Sequence, residues 1–309
     1  MENNPYPQTT TATPKTSGLA IASLVCGIFG LLLLPGILGL ILAIKAINQI
    51  DANNGAISGK GLAMAGLATS GISTIISLIL ASMLLPALAN AKAKANRIKC
   101  VNNLGSIGKS LIGFADENDQ RLPWQLTKVQ QASHKFNSPG IGARRAAQVV
   151  NIAAMRSKLQ TPKILHSPCD PERTTDNETL QSKWKSASER EIAAGLSYVF
   201  AAPGGDVQRP STVLALTRNI RSSLMSGWVG GDDSIRRNSG SARGRTDELT
   251  SHPHAMRGLE KGQGQLVLAD GSARQSSDVD LGPNGMITQA HINSRGGVAK
   301  GNASTAVLR

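Results

Sequence analysis

His252 and His254 flank Pro253, and Asp247 and Glu248 stand just upstream of them. Two imidazoles beside two carboxylates are a set that binds transition metals or runs acid–base chemistry near neutral pH. Their spacing matches no ligand pattern, and the chain holds no GxSxG, P-loop or HExxH. These four residues therefore read as polar groups of a loop. Further on, Asp270, Asp278, Asp280 and Asn284 offer oxygen ligands to a cation such as calcium, but not in the order of an EF-hand. Asp270-Gly271 lies between two extended halves, which assigns Asp270 to a tight hairpin turn rather than to a ligand. The three cysteines, Cys26, Cys100 and Cys169, form no CxxC and no Cys/His zinc spacing. Cys26 sits in an apolar run and acts as a small hydrophobe. Cys100 and Cys169 are a possible disulfide, available only in an oxidising compartment. Such a bridge would close about 70 residues and add about 4 kcal/mol in the chain-entropy model. The expectation is a non-enzymatic protein with no catalytic residue, no bound metal and no cofactor.

The elements that hold these residues begin with two charge-free runs. The first 16 residues are polar and Pro/Thr-rich and read as a disordered tail. They lack the basic region of a signal peptide. Leu19 to Ile44 and Gly61 to Ala91 then carry no charge. Each is long enough to cross about 30 Å of hydrocarbon. Pro35-Gly36 predicts a kink or break in the first run, and Pro86 a helix kink in the second. Gly27, Gly30, Gly36 and Gly39 allow another helix to come close.

The second run ends in Lys92, Lys94, Arg97 and Lys99, a basic cluster suited to a membrane surface. Ile98, Val101, Leu104, Ile107, Leu111 and Phe114 follow at intervals of three and four, the stripe of an amphipathic helix. One helix from about Leu67 to Ala115 is expected, ended by the polar turn Asp116 to Asp119 and weakened at Gly105, Gly108 and Gly113. Beyond it, helices are expected near 143–159 and 186–194. Strands are expected at SYVFAA, STVLAL and QLVLADGSARQSS, with a long mobile loop from Gly230 to Gly264.

Several stretches resemble a known family. LLPALANAKAKANRIKCVNNLGSIGKSLIGFADENDQRLP (Leu84–Pro123), SPCDPER (Ser167–Arg173), LSYVF (Leu196–Phe200) and LVLADGSARQSSD (Leu266–Asp278) resemble, in order, bacterial prepilin-type, pseudopilin-like proteins related to the type II secretion G protein, in particular the planctomycete and verrucomicrobial sets. Pro86, Cys100, Asn102, Asn103, Leu104, Asp116, Asn118, Asp119, Leu122 and Pro123 fall at that pattern's positions. TSGLAIASLVCGIFGLL followed by GKGLAMAGLATSGI is similar to the two-helix membrane domain known as DUF4190, over about Ser17 to Leu80. The pilin pattern's leader cleavage site is not found, and its membrane-helix glutamate, which counting back from Pro86 places near Thr69, has no counterpart between Asp51 and Asp116. The resemblance implies a long helix packed on a small antiparallel sheet.

Together these readings predict an α+β fold. Residues 1–16 are a polar tail and 17–91 a two-helix transmembrane hairpin. A pseudopilin-like soluble domain occupies 92–281, opening with an amphipathic helix at 92–115, and 282–309 are a flexible tail. The chain has a net charge of +13, and its first 91 residues hold only Lys15, Lys45 and Lys60 against Glu2 and Asp51, so the surplus lies almost wholly beyond them. Attraction to an anionic surface follows. With three Trp and two Tyr there is no stacking platform for single-stranded nucleic acid, and no specific nucleic-acid partner is expected. The partners expected are the lipid bilayer and other pilin-like or envelope proteins along the long helix. The positive-inside rule favours a cytoplasmic domain and the pilin resemblance an exported one. The reading taken is a two-span protein of the bacterial inner membrane with its domain in the periplasm. Its role is structural, in envelope or secretion assembly; the alternative is a membrane-tethered basic module that binds an anionic polymer or lipid surface.

Overall fold

In the computed structural model the first charge-free run holds α1 (Gly18–Ile28) and α2 (Leu33–Ala52), and 29–32 between them lie outside the described residues. The residues described are 15–28, 33–52, 57–135, 145–170, 173, 178–202, 205–221, 224–229, 256, 259, 262–294 and 305–308. Pro35 falls in the first turn of α2, where backbone N–H groups have no intrahelical acceptor, so the proline starts a helix instead of kinking one. At 1.5 Å per residue, α1 is about 16 Å long and α2 about 30 Å. The 57-residue α3 (Lys60–Asp116) is about 85 Å long. Among the described residues α3 is the one helix long and apolar enough to cross a membrane, so one of the two expected crossing helices is shown. The helix runs through Pro86 without interruption; the proline has no N–H to donate to the Ser82 carbonyl but does not end the helix.

The chain divides into two units, Met1–Ala91 and Lys92–Arg309. In the first, β1 (Lys15–Thr16) pairs in parallel with β2 (Ile57–Ser58). Each strand leads directly into a helix, β1 into α1 and β2 into α3, and the two helices open on the same pattern, Gly18-Leu-Ala-Ile-Ala and Gly61-Leu-Ala-Met-Ala. The equivalent Ala20 and Ala63 are both fully buried, in one cluster with Ala46 and Ile50 of α2. Small residues set the spacing. A Cβ on Gly66 would collide with Ser23 of α1, and one on Gly39 would lie 2.6 Å from Ser70 Oγ and 3.1 Å from Cys26 Cβ. Of the glycines expected to admit a neighbouring helix, Gly39 does so, and Gly30 lies outside the described residues. Lys15 and Thr16, read as part of a disordered tail, are strand residues; the rest of that tail is outside the described residues.

In the second unit α3 packs on a five-stranded antiparallel sheet. Its strands are β3 (Tyr198–Ala201), β4 (Val213–Thr217), β5 (Gln263–Leu268), β6 (Ala273–Ser277) and β7 (Val307–Leu308), in the order β6-β5-β4-β3-β7. Alternation along the strands feeds two cores. Tyr198, Phe200 and Val267 join Cys100, Leu104, Ile107, Leu111 and Phe114 of α3, while Val199, Ala201 and Leu266 face a second cluster with Trp228 and Ile287. The buried stripe of α3 thus starts at Cys100; Ile98, expected in it, is 62% exposed. Small helices frame the sheet: α4 (Lys128–Ser133), α5 (Ala146–Asn151), α6 (Ala153–Leu159), α7 (Glu178–Ser182), α8 (Glu189–Gly195) and α9 (Met286–Ile292). The helix expected over 143–159 is broken at Ile152, whose extended backbone caps α6. The polar turn ends α3 as expected. Gln120 N–H donates to the Ala115 carbonyl, Asn118 Nδ2 donates to the Phe114 carbonyl, and Asp119 and Gln120 take left-handed backbone angles.

The tail assigned to 282–309 is corrected. Ile287, Thr288 and His291 of α9 are buried, and β7 extends the sheet beside β3. The glycine and asparagine content of this stretch suggested fraying, but a few apolar side chains at helical and edge positions suffice to dock it. The expected long mobile loop falls almost entirely outside the described residues.

One contact tests the helix-on-sheet register. A Cβ on Gly108 would lie 2.5 Å from Val267 Cγ2 on β5, whereas one on Gly105 would meet Ala273 Cβ at an ordinary 3.6 Å. Gly105→Ala should stabilise the second unit by about 0.5–1 kcal/mol through helix propensity. Gly108→Ala should instead cost about 1–3 kcal/mol through overpacking. Denaturant unfolding followed by Trp124, Trp184 and Trp228, all in this unit, reads both.

Candidate functional site

Along α3 the surroundings change twice. Ile72, Ile75, Ile76, Leu78, Ile79, Leu80, Met83, Leu84, Leu85 and Leu88 are all exposed; up to Ala81 they leave one face, that of Ser70, Ser73, Ser77 and Ala81, buried or half-buried, and from Ser82 to Leu88 every position is exposed. Such a surface suits hydrocarbon and not water. Thr69 Oγ1 donates to Ala65 O at 2.9 Å, the buried Ser70 Oγ has no partner among the described residues, and from Ser73 to Ser82 the hydroxyls bond their own helix, Ser77 Oγ to Ser73 O at 2.7 Å and Ser82 Oγ to Ile79 O at 2.7 Å. Thr69 stands where the pilin pattern would place an acidic residue, so this helix brings no charge into the apolar zone. Lys92, Lys94 and Lys99 are exposed and Arg97 is half-buried, in the interval between the outward-facing aliphatics and the buried stripe. Amphipathic cations there can lay their stems on apolar surface and keep their heads in water.

The segments that carried the pilin resemblance meet at Cys100. Ser167 Oγ donates to Cys100 Sγ at 3.0 Å, Tyr198 Oη lies 3.5 Å from the same sulfur, and Cys169 N–H donates to Ser167 Oγ at 3.2 Å. Asn103 Nδ2 donates to the His166 carbonyl at 2.8 Å. The Cys-Val-Asn-Asn-Leu helix, the Ser-Pro-Cys-Asp loop and the Ser-Tyr strand are thereby joined around one buried sulfur. Burial pushes the Cys100 thiol up to about 12, against smaller lowering by Ser167 and Tyr198, and pushes the Tyr198 hydroxyl up as well. A thiol that stays protonated and sealed from solvent is no nucleophile. Cys100 and Cys169 are free thiols in this structure, both buried, and near enough that Cys169 contributes to the upward shift of Cys100.

One residue further, Asp170 receives both arms of Arg218: Nε donates to Oδ2 at 2.5 Å and Nη2 to Oδ1 at 2.6 Å. The Asp170 side chain is fully buried and that of Arg218 is 6% exposed. Sequence reading missed this pair. An aspartate between apolar loop residues needs a cation, but nothing in the spacing says which of 33 would serve.

The acidic residues weighed as calcium ligands are engaged elsewhere. Asp270 Oδ1 accepts from Ser272 N at 2.8 Å in the β5–β6 turn, where Gly271 has φ +83°. Asp278 accepts from Trp228 N and from Arg221, and Asp280 from Ser277 N. Among the described residues no group of His, Cys, Asp and Glu is arranged to hold a metal ion. His252, His254, Asp247 and Glu248 lie outside the described residues.

Residues 19–80 match the model of a domain of unknown function, DUF4190. The match covers α1, α2 and the opening of α3, in agreement with the similarity read from the sequence. No curated protein and no solved structure is similar enough to be matched.

Two outcomes follow. Asp170→Asn strands the Arg218 charge and should cost about 3–5 kcal/mol, whereas Asp170→Leu with Arg218→Met should recover most of the loss. Because the folded-state pKa of Cys100 is raised, its contribution to stability is intact below about pH 9 and is lost as the pH rises from 9 towards 12. Cys100→Ala should therefore flatten the alkaline limb of stability against pH. In the wild-type chain at pH 8, a maleimide should modify Cys100 and Cys169 only after unfolding.

Proposed function

We propose that this chain is a membrane-anchored, non-enzymatic, pseudopilin-like protein with a structural role in envelope or secretion assembly. The observation that supports it most is the composition of α3 along its length: outward-facing aliphatics, then a basic cluster, then a stripe buried on an antiparallel sheet. The exposed aliphatics at Ile72 to Leu88 are the surface along which bilayer and other envelope proteins would be met.

The arrangement of the first unit favours one full crossing over two. Since β1 and β2 are parallel neighbours, α1 and α3 set out in the same direction, and α2 returns the chain to the side where α1 began. In this reading α1 and α2 are a re-entrant hairpin beside α3. The N-terminal residues and the soluble unit then lie on opposite faces of a bacterial inner membrane, with the soluble unit in the periplasm, which is the orientation of a pilin. There Cys100 and Cys169 would meet an oxidising environment and become candidates for a bridge.

A second reading, a tethered module that holds an anionic polymer or lipid surface, is favoured by the charge distribution, since only three of 33 Lys and Arg precede Lys92. Reporter cysteines separate the arrangements. Val129 is 80% exposed. Val129→Cys should react with a membrane-impermeant maleimide on intact cells, and Lys15→Cys only after permeabilisation. Labelling of both on intact cells would restore two full crossings; labelling of Val129→Cys only after permeabilisation would overturn export.

A further inference from the structure

A cavity of about 510 Å³ opens among α5, α8 and β3, and four arginines line it: Arg145, Arg173, Arg190 and Arg218. Pockets of this size accept small organic molecules. The four guanidiniums are not equivalent. Arg218 is held by Asp170. Arg145 lies 3.7 Å from Glu189, a loose and mostly exposed contact. Arg173 donates Nη1 to the Ala193 carbonyl at 2.7 Å, while its buried Nε has no hydrogen-bond partner among the described residues. Arg190 is exposed and has neither a hydrogen bond nor an ion pair among the described residues. With Glu189 and Asp170 set against the four arginines, the site keeps a surplus of two positive charges. Between the cations the wall is aliphatic, with Ala193, Leu196 and Val199.

We propose that this cavity binds a small organic anion, a carboxylate on a short aliphatic body. With Nη1 of Arg173 occupied, the edge that includes Nε–H remains, and a guanidinium edge of two parallel N–H groups matches the two oxygens of a carboxylate. Arg190 stands at the rim as a second, uncommitted cation. Glu189 disfavours a dianion such as a phosphate monoester, and the aliphatic wall rewards a carbon chain over a bare inorganic ion. The α8 segment is set for this by its own cap: Ser188 Oγ and N–H both bond Glu191, which fixes the turn that carries Glu189 and Arg190. The proposal deepens the anion-binding reading above and is independent of any assembly along α3.

The test uses the full chain in phosphatidylcholine nanodiscs, titrated calorimetrically with hexanoate, hexanol, hexylamine and inorganic phosphate. Hexanoate should bind saturably, and hexanol, hexylamine and phosphate at least about tenfold more weakly, the loss expected for one charge-assisted hydrogen bond. Arg190→Glu should weaken hexanoate by about tenfold or more, with an unchanged unfolding midpoint because its side chain has no hydrogen bond or ion pair to lose among the described residues. Arg173→Lys keeps the charge but removes the planar edge, and should also weaken hexanoate. Equal binding of hexanoate and hexanol, equal binding of phosphate, or an unaltered hexanoate isotherm in Arg190→Glu would overturn the proposal. Retention on a sulfated polysaccharide, measured against salt, is the separate control. Salt-sensitive retention that survives Arg190→Glu supports the broader anionic-polymer reading even if the cavity fails, and its absence sinks that reading even if hexanoate binds.

Discussion

Aliphatic side chains that point outward along a helix favour hydrocarbon around them. At about 25 cal/mol per Å² of apolar surface, covering the outward row from Ile72 to Leu88 with lipid is favourable. The other features of α3 fit around this constraint. The hydroxyls in that row bond their own helix, so the backbone and side chains ask nothing polar of the surroundings. The cations wait until Lys92, and the first buried side chain of the stripe is Cys100.

Cys100 is also where the soluble unit is tied to the helix. Its sulfur sits between Ser167 of a loop and Tyr198 of strand β3, and the adjoining Asn103 holds the His166 carbonyl. The Asp170–Arg218 pair then joins the same loop to the residue that follows β4. A hydrogen-bonded sulfur and a bidentate ion pair are directional in a way that aliphatic packing is not, and a buried pair of this kind selects one arrangement of loop and sheet over others of similar apolar burial. The charge-bearing part of the unit, where Arg145, Arg173 and Arg190 gather, lies against α8 and the same end of β3, at Tyr198 and Val199.

Much of the fold was legible because its signals are local. The period of Leu104, Ile107, Leu111 and Phe114, the Asp270-Gly271 turn and the three strand segments each depend on neighbours a few residues apart, and all appear where expected. The readings that failed rested on composition. Polar, glycine-rich sequence suggested a frayed end after Gly282, but Ile287 and Val307 reach the second core. Ile98 fits the period of the stripe, yet it is 62% exposed, although Gln265 of β5 already donates to the Arg97 carbonyl. The partners of Cys100 and Asp170 were invisible for a plainer reason: they are 67, 98 and 48 residues away, and a side-chain pairing across such distances leaves no periodic trace in a single sequence.

The central claim, that α3 passes from lipid through a charged interface into a protein core, is tested most directly by a nitroxide scan. Spin labels placed one at a time from Ile72 to Phe114 in bilayer-reconstituted chain would be relaxed by oxygen, which concentrates in hydrocarbon, and by a water-soluble nickel chelate. The account predicts low nickel access throughout Ile72 to Leu88, high oxygen access on every face from Ser82 to Leu88, and a reversal between Lys92 and Lys99. From Cys100 onward both should fall together every three or four residues. Nickel access along the Ile72–Leu88 segment, or a protected face with helical period between Ser82 and Leu88, would contradict it.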